Sequence, residues 1–392
     1  MSYTAITNIG ALVSGNIQEP LLAADTIVIC DGKIEAVGDK TVLNSLTAAA
    51  IGYKLIDAGG MTVIPGLIDS HVHPVIGDYT PRQKMADFID SSLHGGVTTM
   101  ISAGECHTPG RPTDPAGVKA LAVLAQRSFK NARPGGVKVH GGAVILEKGL
   151  TEADFAELAG NGVWLVGEVG LGSVKKPAEA APMVKWAQAQ GMKVMMHTGG
   201  TSIPGSSTVT AADVLEVRPD VVSHINGGPT AISPQEVDKL ILESDLTLEI
   251  VQCGNSKVAD QVVRKLAVIG QLHRVICGND APSGTGVIPL GILRTIVQLS
   301  CMSGIKAEAA IAMASGNTAR VYGLDTGSIA PGKEADIVII DTPLGSVGQN
   351  ALEAMEAGDL PGVALVLIDG EIKVNKSRNT PPATGKVTVT MV

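Results

Sequence analysis

Short apolar runs alternate with amphipathic segments through the middle of the 392-residue chain. The segments between the apolar runs have helical spacing, as in Met85, Ile89 and Leu93, which lie four residues apart before a Gly-Gly stop. Eight apolar runs are predicted to be strands: GLIDSHVH, VTTMIS, VKVHGGAVIL, VWLVGEV, KVMMHTG, VVSHING, TLEIVQC and RVICGND. Alternating strands and helices indicate an α/β protein with a parallel sheet, and eight strands close a (β/α)8 TIM barrel.

The two ends of the chain have a different pattern, in which short β-type runs are separated by Asp-Gly. Examples are TIVICDGKIEAV near the start and VALVLIDGEIKV near the end, and this spacing is typical of hairpins. We therefore expect a small β-sandwich domain made of residues 1–63 plus 325–392, and a TIM barrel of residues 64–324. An open doubly wound sheet is the alternative, but its phosphate-binding glycine motifs are absent where they would be needed.

Composition and charge limit the kinds of molecule that the protein is expected to bind. The net charge of −8 argues against nucleic acid, although it does not exclude an anionic small molecule. No apolar run approaches the roughly 18 residues that cross a bilayer, and no signal peptide is visible. Five widely spaced cysteines without a CxxC pair fit a reducing compartment. These features predict a cytoplasmic protein that acts on a small molecule, without nucleic acid or membrane partners.

Residues that can bind a metal lie at the carboxyl ends of five predicted strands. On the first strand His71 and His73 are two positions apart, so both imidazoles point to the same side. The other four such residues are Glu168, His197, His224 and Asp280. Active sites of TIM barrels lie at this end, and imidazole with carboxylate suits zinc, iron or manganese. Six such residues at matching strand ends indicate a metal site rather than unrelated solvated or core side chains.

Longer motifs carry a family resemblance. Residues 65–73 (PGLIDSHVH) resemble the first-strand signature of the amidohydrolase superfamily, and residues 327–336 (GSIAPGKEAD) resemble the passage that leads back to its β-sandwich. The strings VKVHGG, HTGGTSIPGSS and GNDAPSGTG are most similar to members that open cyclic enamides. Many members bridge two metals with a carboxylated lysine at the end of strand four. Here that position is Glu168, which can bridge directly.

The resemblance implies a two-metal hydrolase that contains zinc and iron. We expect one metal at His71, His73 and Asp280, the other at His197 and His224, and Glu168 between them. Two divalent ions that share a water lower its pKa towards neutrality and so make hydroxide available for attack on a carbonyl carbon. Asp280 is expected to carry the proton from this water to the leaving nitrogen. A helix N-cap is the alternative role for Asp280.

The implied substrate is a cyclic amide, 6-oxo-1,4,5,6-tetrahydronicotinate, which would be opened to 2-formylglutarate and ammonia by a homotetramer. The substrate carboxylate needs a cationic or hydrogen-bonding clamp. The residues predicted to bind the substrate are His140, Lys138, Thr201, Ser202 and Cys253, with Arg82 and Arg111 as further candidates. We predict no role in the site for His94, His107 and His273.

Two other functions remain open at this point. An adenine-deaminase-like aminohydrolase would use the same metal ligands on a purine-type ring. A non-catalytic scaffold on the same barrel would have lost ligands, whereas all six are present in this sequence.

Overall fold

The structure is a computed structural model that describes residues 2–44, 46, 52–76, 84–201, 208–228, 230–282 and 287–392. Its strands are β1 Tyr3–Thr7, β2 Ala11–Val13, β3 Leu21–Leu22, β4 Thr26–Cys30, β5 Lys33–Gly38, β6 Lys54–Asp57, β7 Thr62–Pro65, β8 Leu67–Val72, β9 Val97–Ser102, β10 Lys138–His140, β11 Leu165–Val169, β12 Lys193–Met196, β13 Val221–Val222, β14 Thr247–Val251, β15 Val275–Gly278, β16 Ile337–Asp341, β17 Gly362–Ile368, β18 Glu371–Asn375 and β19 Thr388–Met391. Its α-helices are α1 Lys84–Leu93, α2 Pro115–Asn131, α3 Glu152–Gly160, α4 Pro177–Ala189, α5 Ala211–Val217, α6 Pro234–Glu243, α7 Ser256–Val268, α8 Gly291–Ser303, α9 Ala307–Met313, α10 Gly316–Tyr322 and α11 Ala351–Glu356.

The strands β8 to β15 form the barrel, and each corresponds to one of the eight predicted runs. They pair in parallel as β10-β9-β8 and as β11-β12-β13-β14-β15. Parallel bridges join the two groups at both seams, Val144 with Val166 and Val72 with Ala281. The predicted (β/α)8 TIM barrel is therefore confirmed.

Apolar side chains fill the barrel interior below its carboxyl end. Residues such as Ile68, Met195 and Ile276 form one buried cluster with Ala319 and Tyr322 of α10. Because α10 packs against these inward-facing residues, it covers the amino end of the barrel. The carboxyl end is left as the place where polar side chains can converge.

Two further sheets are built from both ends of the chain. One has the order β19-β6-β1-β4-β5 and the other β18-β17-β16-β7-β2-β3. Residues such as Ile27, Ile56, Val63 and Leu365 are buried together between them, as in a β-sandwich. This arrangement agrees with a sandwich that draws on both termini. The domain limits at residues 63 and 325 stay predictions, and the continuous pairing of β7 with β16 extends to Pro65.

An ion-pair cluster joins barrel and sandwich at the start of β10. Lys138 Nζ lies 2.8 Å from Asp336 Oδ2, 2.6 Å from Glu334 Oε2 and 2.7 Å from Asp369 Oδ1. Burial on its own would lower the pKa of Lys138, but the Asp336 carboxylate outweighs it and raises that pKa. Lys138 is thus a fixed cation of the junction. No helix in the described part of the chain has the length and apolar character to cross a membrane.

Candidate metal centre

His71 and His73 form one group of possible ligands with Asp280, which follows β15. His71 Nε2 lies 3.2 Å from His73 Nε2 and 3.5 Å from Asp280 Oδ1. His73 Nε2 lies 3.3 Å from the same oxygen. One nitrogen or oxygen from each residue falls within 4.8 Å of the others, which is close enough for all three to bind one ion.

Glu168, His197 and His224 form the second group, at the ends of β11, β12 and β13. Glu168 Oε1 lies 2.6 Å from His224 Nε2 and 3.7 Å from His197 Nδ1. Its other oxygen, Oε2, lies 3.5 Å from His71 Nε2 and 3.6 Å from His73 Nε2. Glu168 therefore turns one oxygen to each group, which is the geometry that a bridging carboxylate requires. The structure brings all six predicted ligands together.

The carboxylates of this centre stabilise positive charge. Burial alone would raise the pKa of Glu168, but the charges of His71 and His224 outweigh it and hold that pKa well below its usual value. Burial alone would lower the pKa of His224, yet the Glu168 carboxylate raises it. Glu168 and His224 are almost fully buried, with 2 % exposure each. Buried carboxylates among imidazoles make a site that attracts cations.

Unsatisfied polar atoms test whether these residues fit metal ions. Among the described residues, His197 Nδ1 and His224 Nδ1 are buried and make no hydrogen bond. Buried nitrogen and oxygen atoms normally have a partner, and each exception needs an explanation. Imidazole and carboxylate are ligands for zinc, iron and manganese. The donor set therefore fits two divalent ions.

Two of the ligands have unusual backbone conformations. His224 has φ +33° and Asp280 has φ +55°, a region that residues with side chains rarely occupy and that is enriched at functional sites. Close packing determines the position of His71, because a Cβ atom on Gly278 would lie 2.6 Å from the Cβ of His71. Glycine at 278 thus lets β15 approach β8, so that Asp280 comes within reach of both histidines.

A second layer of polar residues surrounds the ligands, and the sequence patterns did not suggest it. Glu249 of β14 is fully buried and lies 2.7 Å from His71 Nδ1. Asp69 accepts hydrogen bonds from the backbone and side chain of Asn279, at 2.9 and 2.7 Å, and so fixes the residue before Asp280. An acidic residue inside an apolar strand was the available signal for Glu249.

Of the residues predicted to bind the substrate, the structure places some at the metal centre and others away from it. Cys253 reaches the centre, since its Sγ lies 3.4 Å from Asp280 Oδ2. Thr201 is exposed, and its backbone N–H donates to Thr208 Oγ1 at 3.2 Å. Ser202 lies outside the described residues. Substrate binding by Cys253, Thr201 and Ser202 stays a prediction.

Lys138 and His140, which were also predicted to bind the substrate, lie away from the six metal ligands. Both line a cavity of about 450 Å³ that contains none of the six ligands. The His140 ring packs at 5.3 Å against Trp164, whose ring is 6.2 Å from Tyr322 at the amino end of the barrel. The strand continues beyond β10 to the bridge at Val144. The two residues therefore belong to the start of the strand rather than its carboxyl end.

The structure also shows the positions of further arginine, histidine and cysteine side chains considered for the site. The Arg111 guanidinium pairs with Glu147 at 2.8 Å, so it is committed to a partner within the protein, and Arg82 lies outside the described residues. His107, for which no role was predicted, packs edge-on against His73 with ring centroids 5.5 Å apart. Its neighbour Cys106 has its Sγ 3.4 Å from His73 Nδ1. Both residues follow β9, so the loop after this strand also lines the centre.

Comparison with known proteins agrees with this geometry. Residues 62–373 match the model of the amidohydrolase family. The chain is 65 % identical to the enamidase of Eubacterium barkeri over 98 % of both chains. It also superposes on a crystal structure of enamidase, described as a member of the amidohydrolase superfamily, with a TM-score of 0.95, 63 % identity and coverage of 99 % of this chain and 100 % of that one.

More distant similarities are found in sequence and in structure. Adenine deaminase 2 of Desulfotalea psychrophila is 26 % identical over 81 % of this chain, and the match covers 51 % of the deaminase. The β-aspartyl dipeptidase of Fervidobacterium islandicum AW-1 superposes with a TM-score of 0.65 at 18 % identity, over 96 % of this chain and 97 % of the dipeptidase. With the barrel, the flanking sandwich and the family match over most of its length, this chain belongs to the amidohydrolase family.

Proposed function

We propose that the protein is an enamidase, which hydrolyses 6-oxo-1,4,5,6-tetrahydronicotinate to 2-formylglutarate and ammonia in nicotinate degradation. The observation that carries this proposal is the high identity to the Eubacterium barkeri enamidase along nearly the whole of both chains, together with six ligand residues in one cluster. A cytoplasmic homotetramer that contains zinc and iron is part of the proposal and is supported by the same resemblance.

The residues of the cluster suggest how two ions would be held. His71, His73 and Asp280 would hold one ion, His197 and His224 the other, and Glu168 would contact both. When bound, such ions lower the pKa of water and polarise a carbonyl oxygen. Ligands that come from several strand ends are held rigidly by the barrel beneath them, so the geometry needs little reorganisation during a reaction.

Asp280 is suited to move the proton. Burial would raise its pKa, but the hydrogen bond from His73 and the charge of His71 keep that pKa below its usual value. The carboxylate is therefore ionised and accepts a proton from the attacking water. The same proton passes to the ring nitrogen as the carbon–nitrogen bond of the lactam breaks. The released enamine then takes up a second water and separates into an aldehyde and ammonia.

The deaminase alternative is less well supported. The match covers only 51 % of adenine deaminase 2, and its identity to this chain is low, at 26 %. A non-catalytic scaffold is disfavoured because the ligand cluster is complete.

A turnover assay tests the proposal. The purified protein, supplied with zinc or iron, is incubated separately with the lactam and with adenine, while loss of each compound and release of ammonia are followed. We expect the lactam to be consumed and adenine to be left unchanged. Ammonia release from adenine alone would replace the proposal with the deaminase alternative. The Asp280→Asn variant provides the control for a contaminating enzyme.

A further inference from the structure

Glu249 is a buried carboxylate of β14 that none of the catalytic steps above uses. Its side chain is fully inaccessible to solvent, and both of its oxygens have partners. Ser70 Oγ donates to Oε1 at 2.5 Å. His71 Nδ1 lies 2.7 Å from Oε2, and the backbone N–H of His224 donates to the same oxygen at 3.3 Å. Glu249 thus contacts a residue from each of the two ligand groups.

The contact with His71 determines which ring nitrogen carries the proton. A carboxylate only accepts hydrogen bonds, so the nitrogen that faces it, Nδ1, must be the protonated one. The lone pair of Nε2 is then directed at the space shared with Asp280 and Glu168, 3.5 Å from an oxygen of each. A metal-binding histidine needs this arrangement.

The neighbouring histidine offers an internal comparison. His73 Nδ1 lies 2.9 Å from the carbonyl oxygen of Gly104 and 3.4 Å from Cys106 Sγ, so no carboxylate faces this nitrogen. His71 faces a full negative charge instead, in a part of the protein that excludes water. A carboxylate partner makes an imidazole a stronger electron donor to a metal.

Burying a carboxylate is costly unless it is fully hydrogen-bonded. Glu249 has three donors, of which two, on Ser70 and His71, lie on β8 and the third, the N–H of His224, lies in the turn after β13. The carboxylate therefore restrains the ring of His71 and also the backbone at His224, where φ is +33°.

We propose that Glu249 is a positioning residue of the metal centre, which fixes the orientation of His71 and the backbone of His224 and so sets the affinity for the ion held by His71, His73 and Asp280. The inference rests on the two-metal site of the proposed function, but it does not depend on the substrate.

The Glu249→Gln variant tests this role, because it removes the charge and leaves the volume almost unchanged. Wild-type and variant proteins are dialysed against a graded series of chelator concentrations, and the metal per chain is measured by plasma emission. We expect the variant to lose one ion at about 10–100-fold higher free-metal concentration than the wild type does. In protein loaded with cobalt, the visible absorption of that ion should change. The kcat at limiting metal should fall and recover with excess metal, whereas KM stays the same.

A matched control separates positioning from general loosening of the barrel. Glu147 is also a buried carboxylate near the carboxyl end, but its partners are Arg111 and the backbone N–H of Ser173 rather than a ligand. Glu147→Gln should bind both ions like the wild type. An equal loss of metal from both variants would overturn the inference, and so would wild-type affinity in Glu249→Gln.

Three further outcomes are informative. If Glu249→Gln does not fold, Glu249→Asp decides the question, since it keeps the charge and withdraws it from His71; wild-type metal affinity in that variant would overturn the inference. A wild-type protein that binds no ion would overturn both the inference and the proposed function. Two bound ions without turnover of the lactam would contradict the proposed substrate alone and leave the role of Glu249 supported.

Discussion

At the scale of single residues, Asp280 has the most demanding position in the centre. Its Oδ1 lies within 3.5 Å of both histidines of the first group, while Oδ2 contacts the Cys253 thiol. Its backbone is held in the left-handed region. A residue with a strained backbone and two differently engaged oxygens is expected to serve the reaction rather than the stability of the fold.

Replacement of Asp280 by Asn should separate metal binding from turnover. The amide has almost the same shape but cannot accept the proton, so we expect kcat to fall about 10²–10⁴-fold, the usual contribution of a general base. Five of the six ligand side chains are unchanged, and the metal content measured by plasma emission should stay close to that of the wild type. Activity above about a tenth of wild type would show that another group moves the proton.

At the scale of secondary-structure elements, Lys138 connects β10 of the barrel to the sandwich. Asp336 is buried, with 2 % exposure, and would lose its cation in Lys138→Met. We expect the free energy of unfolding to fall by about 3 kcal/mol, because removing one partner leaves an uncompensated buried charge. Urea unfolding measures the change.

Two further variants serve as controls for that measurement. Lys138→Met combined with Asp336→Asn should recover part of the loss, since the buried charge is then gone as well. Lys148→Met removes a lysine that is 65 % exposed and pairs with Glu179 at 3.5 Å, and should change stability little, as exposed pairs do. Equal effects of Lys138→Met and Lys148→Met would contradict the buried-charge explanation.

Strand ends were predictable from the sequence because they follow from local rules. Apolar runs mark parallel strands, and parallel strands place their carboxyl ends on one side, so the six ligands could be assembled without knowing the fold in detail. The position of a residue along the barrel axis, by contrast, depends on the register between strands and does not follow from the local sequence. Lys138 lies opposite Thr99 of β9, and this register, which the neighbouring strand sets, puts Lys138 and His140 at the start of their strand, away from the metal ligands.

Glu249 escaped prediction for a related reason. A single acidic residue within an apolar strand has the same sequence pattern whether it faces the surrounding helices or the barrel interior. Its partner His71 is 178 positions away in the chain, so only the closed barrel brings the pair together. The polar residues that support a site are therefore less visible in a sequence than the ligands themselves.

At the scale of the whole molecule, bound metal should stabilise the native state. The ligands come from the ends of β8, β11, β12, β13 and β15, so ions at the centre would connect strands all around the barrel. Binding to the native state alone adds about 4 kcal/mol when the free metal is ~1,000 times its Kd. We expect a chelator to lower the melting temperature by several degrees and added metal to restore it, as followed by calorimetry.

A variant without the centre provides the control for that experiment. His71→Asn combined with His197→Asn removes a ligand from each group, and its melting temperature should not respond to the chelator. An equal response in this variant would mean that the stabilising ions bind elsewhere.

The sandwich, which pairs β7 with β16, also determines how the protein must be made. On the ribosome the first half of the sandwich emerges early, and the whole barrel is synthesised before β16 arrives. At ~5–20 residues per second this delay lasts on the order of tens of seconds. During that time β7 lacks its partner β16 and β6 lacks its partner β19, and their unpaired edges are open to mispairing with other nascent chains. The sandwich, rather than the barrel with its chemistry, is therefore the part of the molecule whose strand pairing is completed last during synthesis.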